Sequence, residues 1–191
     1  MTHRSAQVLL DLLKAKPVVT FQDILKALDG ASSSTGFRYL QQVPYRSSYN
    51  YNGCYYTLHE PSRYDRFGLF RYEDIYFSRD GTLKATVRRL IHESEAGFTQ
   101  RELQELLRAR VQIFLQALVE QREVCRERVE GLYHYLHAQP EIKKVQLRRR
   151  IERIKIVKES QVTIDDMIVI RVLLVLIRHP GSKPDEVTAF R

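Results

Sequence analysis

Two stripes of apolar residues at helical spacing open the chain. The first stripe predicts a helix over residues 5–16 and the second a helix over residues 20–28. Thr20 and Asp23, three residues apart, have the pattern of a capping box and mark the start of the second helix. The sequence therefore begins with a pair of short helices.

A third helix and an aromatic hairpin follow this pair. Phe37 and Leu40, three residues apart, predict the inward face of a helix over residues 33–43. Residues 43–58 have the pattern of two short aromatic strands. The turn between them is predicted to end in the Asn-Gly dipeptide at residues 52–53, because both residue types accept the positive φ that a tight hairpin requires.

This order of three helices and a hairpin resembles the winged-helix superfamily, which usually binds DNA. The resemblance implies that the third helix is a recognition helix and that the hairpin is a wing. Arginine and glutamine side chains suit base edges in a major groove, while hydroxyl groups at a helix start suit phosphates. The implied DNA-binding residues are Ser33, Ser34, Thr35, Arg38, Gln41 and Gln42 on the helix, and Arg46, Ser48, Asn50 and Asn52 on the wing.

The same pattern recurs over residues 85–138, which predicts an internal repeat. Thr99 and Glu102 repeat the capping pair, and Gly131 falls where the turn glycine of the first hairpin lies. We therefore expect tandem winged helices. The corresponding DNA-facing residues of the second copy are Arg110, Gln112 and Gln116.

The positive charge of the chain is concentrated in one stretch. The 191 residues carry a net charge of +8, and residues 139–160 contribute eight basic and three acidic side chains, or +5, of that excess. A basic run of this kind suits a polyanionic partner. We expect a helix whose apolar residues, such as Ile142, Val145 and Ile151, face the modules. Its cations would contact DNA phosphates, with these three foremost: Arg148, Arg149 and Arg150.

The last part of the chain resembles the start of a third copy. Thr163 and Asp166 again have the spacing of a capping pair, and Pro180 would end the helix that follows. No recognition helix or wing comes after it. We expect residues 163–190 to be either a dimerisation element, which would make the protein a homodimer, or the beginning of a domain that the sequence does not complete.

The predicted fold class is α+β and mostly helical, with tandem winged helix-turn-helix modules, a basic helix and a partial third unit. Five segments make up this organisation: a first winged-helix module at 1–60, a connector with a β-strand at 61–84, a second winged-helix module at 85–138, a basic helical linker at 139–160, and a partial helix-turn-helix-like unit or dimerisation element at 161–191.

The motifs of catalysis and cofactor binding are missing from the sequence. It contains no GxxxxGK[ST], GxGxxG or GxSxG motif. His134 and His137 would point to opposite sides of a strand, so we expect no metal site. Cys54 and Cys125 are expected to be packed free thiols. We predict a protein that is not an enzyme and has no cofactor or small-molecule substrate.

The composition of the chain limits where the protein is expected to be located. With 43% hydrophobic and 28% charged residues, no uninterrupted apolar run of membrane length and no signal-peptide pattern, we expect a cytoplasmic protein without a membrane partner.

The predicted function is binding of double-stranded DNA, in a transcriptional regulator or an accessory factor of DNA transactions. Two alternatives remain: the DNA-binding region of a transposase or recombinase without its catalytic domain, and a winged-helix scaffold for protein–protein interactions.

Overall fold

The computed structural model describes the backbone of residues 5–178, and all their side chains except those of residues 160–166, 172, 175, 176 and 178. The helices are α1 (Ala6–Ala15), α2 (Phe21–Ala27), α3 (Ser33–Leu40), α4 (Leu83–Glu93), α5 (Gln100–Leu107), α6 (Gln112–Glu120) and α7 (Pro140–Arg178). The strands are β1 (Val19–Thr20), β2 (Tyr45–Ser47), β3 (Tyr55–Leu58), β4 (Leu69–Tyr72), β5 (Ile75–Ser78), β6 (Phe98–Thr99), β7 (Val124–Val129) and β8 (Leu132–His137). The predicted mixture of helices and strands is confirmed, and the sheets are small and antiparallel.

Residues 5–60, called the first unit below, pack α1, α2 and α3 against one face of a three-stranded sheet of order β1-β3-β2. Leu9, Ile24 and Leu40, one from each helix, are completely buried in its core. The capping box at the start of α2 is confirmed, because Thr20 Oγ1 accepts a hydrogen bond from the Asp23 amide and the Asp23 carboxylate accepts one from the Thr20 amide. The predicted helices of this unit are thus present.

Residues 83–137, called the second unit, repeat this arrangement. Strand β6 lies between α4 and α5, the β7–β8 hairpin follows α6, and the sheet has the order β6-β8-β7. The three helices bury Ile91, Leu103 and Leu115 completely. Thr99 and Glu102 form the second predicted capping box. The two units therefore share the order of their elements, the order of their strands and the cap of their second helix.

One local prediction in the first unit holds in part and another is wrong. Asn52 and Gly53 lie at the end of the turn and both have the expected positive φ (54° and 72°), but they form a 3-10 turn and seven residues separate β2 from β3, so the hairpin is not tight. The expected inward position of Phe37 is wrong, because its side chain is 45% exposed and stacks on Phe21 with ring centroids 4.2 Å apart. Gly36 and Leu40 provide the buried side of α3.

The β4–β5 hairpin connects the two units. The Tyr49 amide, in the loop after β2, donates to the Tyr76 carbonyl of β5 (2.9 Å), and the two rings stack at 6.0 Å. The Tyr49 hydroxyl donates to the Leu107 carbonyl at the end of α5 (3.0 Å). Burial raises the pKa of this hydroxyl above its ordinary value of 10.0. One tyrosine of the first unit therefore contacts both the hairpin and the second unit.

The last described element is one continuous helix. Helix α7 runs through residue 163, so Thr163 does not cap a new helix as predicted. The physical reason is that no glycine or proline occurs between Pro140 and residue 178, so nothing in the sequence interrupts the helix. The proposed second helix of a third unit, after Pro180, lies outside the described residues. Within residues 5–178, no helix is both long enough and apolar enough to cross a membrane.

Candidate nucleic-acid interface

The exposed side of α3 carries the polar residues that the sequence predicts there. Ser32 caps the helix, with its Oγ accepting from the Thr35 amide (3.4 Å). A Cβ at Gly36 would lie 2.7 Å from Leu25 Cδ2, so α3 crosses α2 in close contact. With this side held inward, five of the predicted residues are exposed together: Ser33, Ser34, Arg38, Gln41 and Gln42.

Local contacts order part of this surface. The Arg38 guanidinium lies 5.2 Å from the centre of the Tyr39 ring, and Gln42 Nε2 donates to the Arg38 carbonyl (3.2 Å). Thr35 differs from its neighbours because it is only half-exposed and its hydroxyl accepts a hydrogen bond from Ser32 (3.0 Å). Thr35 therefore belongs to the helix cap more than to an open binding surface.

Three predicted wing residues bind protein groups instead of projecting from the hairpin. Arg46 Nε donates to the carbonyl of Arg79 (2.9 Å), and the Ser48 side chain is buried with its Oγ bonded to the Asn50 carbonyl (2.8 Å). Asn50 Nδ2 donates to the Asp74 carbonyl (2.6 Å), while its Oδ1 accepts from the backbone of β5.

This corrects the prediction for Arg46, Ser48 and Asn50. Asn50 joins the loop after β2 to the β4–β5 hairpin, Arg46 joins β2 to the residue after β5, and Ser48 is bonded within its own loop. Asn52 remains exposed, with a left-handed backbone (φ 54°). Among the predicted residues of the first hairpin, only Asn52 has an exposed side chain.

In the second unit, α6 occupies the position of α3 but presents a different surface. Arg110, Gln112 and Gln116 are exposed as predicted, and Gln116 Nε2 donates to the Glu120 carboxylate (3.0 Å). Between them Ile113 is 79% exposed. This helix therefore offers one cation near its start, an apolar centre and a carboxylate near its end.

The β7–β8 hairpin carries a basic and aromatic cluster. Arg126 and Arg128 lie over the Tyr133 ring at 4.5 and 6.0 Å from its centroid, and all three residues are exposed. Arg128 pairs with Tyr133 across the two strands, which explains why they share a face. Tyr133 was not among the residues predicted from the sequence, although its position two residues after the turn glycine places it opposite an arginine.

Part of the positive charge of helix α7 lies on the side that faces away from the second unit. Lys144, Arg148 and Lys155 are exposed and follow one another at helical spacings of four and seven residues. Arg149 is exposed as well, and neither Arg148 nor Arg149 forms an ion pair with the side chains that the structure describes. Two further exposed cations of the helix pair with carboxylates of the second unit. The first four residues are therefore the exposed cations of the predicted basic helix that form no ion pair with the second unit.

Arg150 does not belong to that surface, and its assignment to DNA is corrected. It is 9% exposed, with Nε donating to the Ala96 carbonyl (2.9 Å) and Nη2 to the Gly97 carbonyl (2.6 Å). The guanidinium also forms a two-bond ion pair with Glu102 (2.8 and 3.0 Å). Burial raises the pKa of Glu102, but the hydrogen bonds from Arg150 and Thr99 outweigh it and leave the pKa below its ordinary value.

Gln146, one turn before Arg150, makes a second buried attachment. It is 2% exposed, and its Nε2 donates to the carbonyls of Ile91 (2.9 Å) and Ser94 (2.8 Å). Its Oε1 accepts from the amide of His137 (2.7 Å). Gln146 thus satisfies carbonyls at the end of α4, which the helix itself leaves without donors.

Within residues 5–178, the histidines and cysteines form no recognisable reactive site. Burial is the main cause that lowers the pKa of His134 and of His137, and the neighbouring His92 ring, 4.1 Å away, lowers the latter further. Among the described side chains, no three His, Cys, Asp or Glu residues come together as metal ligands would. Both cysteines are free, but Cys54 is exposed, so the expectation that it is packed is wrong.

The chain matches no known protein family, no curated protein and no solved structure. What it can do therefore follows from its own surfaces. These are a polar helix face on α3, an arginine–tyrosine cluster on the second hairpin and a stripe of cations on α7.

Proposed function

We propose that the chain binds double-stranded DNA through two winged helix-turn-helix units and the basic side of α7. The observation that carries the proposal is the repetition of one supersecondary unit, in which a third helix with an exposed polar face precedes an antiparallel hairpin. In such a unit the third helix has the diameter to enter a major groove. The chain would act as a transcriptional regulator or as an accessory factor in DNA transactions.

Helix α3 is the best candidate for base recognition. Arg38, Gln41 and Gln42 are exposed near its end, and arginine and glutamine donate in the pairs that guanine and adenine accept. Ser33 and Ser34 are exposed in its first turn, where free backbone amides and hydroxyl groups suit a phosphate. The first hairpin contributes little to DNA binding. Arg46 and Asn50 are already bonded to backbone carbonyls of Arg79 and Asp74, and Ser48 is buried.

Contacts that do not depend on base sequence would come from two places. Arg126 and Arg128 project from the second hairpin, and the cations of α7 project from the opposite side of that helix to the buried Gln146 and Arg150. Phosphate contacts of this kind supply affinity and a strong dependence on salt. They would hold the duplex while α3 reads it.

The test is fluorescence anisotropy of the purified chain with a random duplex across a salt series. If about six phosphates are neutralised, affinity should fall about a thousandfold between 50 and 200 mM salt. The double substitution Arg148→Ala/Arg149→Ala should reduce the slope of log affinity against log salt by about two. Arg38→Ala should weaken binding to a selected site more than to random DNA.

The control is Arg71→Ala, which removes one positive charge, as Arg38→Ala does, from an exposed position in β4. It should leave both affinity and salt slope close to those of the unmodified chain. No binding near 50 mM salt, or equal losses in Arg71→Ala and in the double variant, would refute the proposal.

One observation favours a second function for α6. An aliphatic side chain as exposed as Ile113, beside the paired Gln116 and Glu120, suits a protein surface better than a phosphate backbone. In that reading the second unit is a protein-interaction module and only the first unit reads DNA. Gln112→Ala would then leave DNA affinity unchanged, whereas Arg38→Ala would still reduce it.

A further inference from the structure

The far end of α7 carries an apolar surface that the described residues of the chain do not cover. Within residues 167–177, called the apolar segment below, every described side chain is exposed. The aliphatic ones are between 48% and 74% exposed: Met167, Ile168, Val169, Ile170, Leu173, Leu174 and Ile177. A soluble monomer rarely leaves so many neighbouring large aliphatic side chains in water.

This segment lies well beyond the attachment of α7 to the second unit. Gln146 and Arg150 fix the beginning of the helix, and Lys158 Nζ forms an ion pair with the Glu130 carboxylate (2.7 Å) at the tip of the second hairpin. From residue 158 to residue 178 the helix continues for about 30 Å at 1.5 Å per residue. The apolar segment is therefore far enough from the second unit for another molecule to contact it.

The exposed area on one side of the segment is close to what a dimer needs. At about 100° per residue, five of the aliphatic residues share one side of the helix: Val169, Ile170, Leu173, Leu174 and Ile177. At the observed exposed fractions each leaves about 100 Å² accessible, or about 500 Å² on that side. Cover by the same side of a second copy would bury about 1,000 Å² in total, about the area at which specific interfaces begin.

The charge of the segment fits a partner of the same kind. Arg171 is its one charged residue, so the surface neither calls for an oppositely charged partner nor repels a copy of itself strongly. Eleven residues are also too few for a membrane span, which takes about 20. A two-fold interface, in which each copy offers the same patch, is the commonest way to bury such a surface.

We propose that the apolar segment of α7 joins two copies of this chain into a homodimer. The proposal does not depend on DNA binding, and it is tested without DNA. Sedimentation equilibrium of the complete 191-residue chain between 1 and 100 μM should give a mass of twice the 22.5 kDa of one chain.

The decisive variant is Ile170→Gln/Leu174→Gln, which keeps the charge and uses a residue that favours helices. Because four half-exposed aliphatic side chains lose their cover per dimer, association should weaken about a thousandfold, and the mass should fall to that of one chain. Far-ultraviolet circular dichroism should show the same helix content in both proteins. The control is Ile113→Gln, which replaces an exposed aliphatic residue on α6 and should leave the dimer intact.

Three results would overturn the proposal. The first is a single-chain mass for the unmodified protein at all concentrations, and the second is equal dissociation by Ile113→Gln. The third is a monomer that sediments with vesicles of phosphatidylcholine and phosphatidylglycerol and loses that binding in the double variant. In that case a lipid surface, not a second copy, covers the segment.

Discussion

Replacing Arg150 with methionine tests the attachment of α7 most directly. The substitution keeps much of the side-chain volume but removes the guanidinium. The carbonyls of Ala96 and Gly97 then lose this donor, and the carboxylate of Glu102 keeps the amide of Thr99 but loses its ion pair. We expect the folded state to lose stability, while the exposed surface of α7 stays unchanged.

The size of the loss follows from the burial of the pair. Removing one partner of a fully buried ion pair costs about 3–5 kcal/mol. Here the Glu102 side chain is 41% exposed, so water can solvate the carboxylate that Arg150 leaves behind. We therefore expect a cost of about 2–3 kcal/mol, mainly from the two backbone carbonyls and the lost charged hydrogen bonds.

The assay is urea unfolding followed by circular dichroism, with Arg149→Met as the control. Arg149 is the adjacent residue, has the same chemistry and is exposed, so its replacement should change stability by less than about 0.5 kcal/mol. For Arg150→Met the midpoint should fall by about 1 M urea. Equal effects of the two substitutions, or a cost for Arg150→Met below about 0.5 kcal/mol, would refute the reasoning.

The pH dependence gives a second check. The pKa of Glu102 is lower in the folded state than its ordinary value of 4.5, so the contribution of the pair is present above pH 4.5. It is lost as the pH falls through the lower pKa of the folded state, because the carboxylate is then protonated with or without Arg150. The stability difference between the two proteins should therefore shrink in acid.

Three further outcomes are expected. Gly97→Ala should destabilise the second unit by several kcal/mol in an unfolding experiment, since a Cβ there would lie 2.5 Å from a strand carbonyl. Gly131 also has a positive φ but has open space around it, so Gly131→Ala should cost only about 1–2 kcal/mol. Gln146→Leu should cost about 2–3 kcal/mol by the same measurement, because the Ser94 carbonyl and the His137 amide lose the partner that Gln146 provides. Burial lowers the pKa of His134 below 6.5, so the folded state binds fewer protons than the unfolded state. The urea midpoint should therefore fall as the pH drops below 6.5, and His134→Gln should reduce that fall.

The sequence predicted those features that depend on residues close to one another. The two capping boxes are pairs three residues apart, and the order of helices and hairpins follows from apolar spacing within each segment. The exposed face of α3 was predictable for the same reason, because Leu40 is buried as its spacing indicates, although Phe37, which was expected beside it, is 45% exposed.

Features that depend on distant partners were not predictable. Asn50 was expected to project from the wing toward DNA. Its side chain instead forms hydrogen bonds with the β4–β5 hairpin, which begins some twenty residues later in the chain. In the run of three arginines at 148–150, the residues have the same chemistry, and only the packing of α7 decides that the third is buried. The expected inward face is also wrong, since Val145 and Ile151 are exposed while Gln146 faces the second unit.

The attachment of α7 also decides where the chain can be divided. A fragment that stops at residue 138 would contain every helix and strand of the repeated pattern, yet it would leave bare the carbonyls that Gln146 and Arg150 cover. Cooperative unfolding of the second unit should therefore include the first four turns of α7. A protease would find its first cleavage sites beyond residue 158, in the projecting end, and the smallest fragment that resists further digestion should retain both buried side chains.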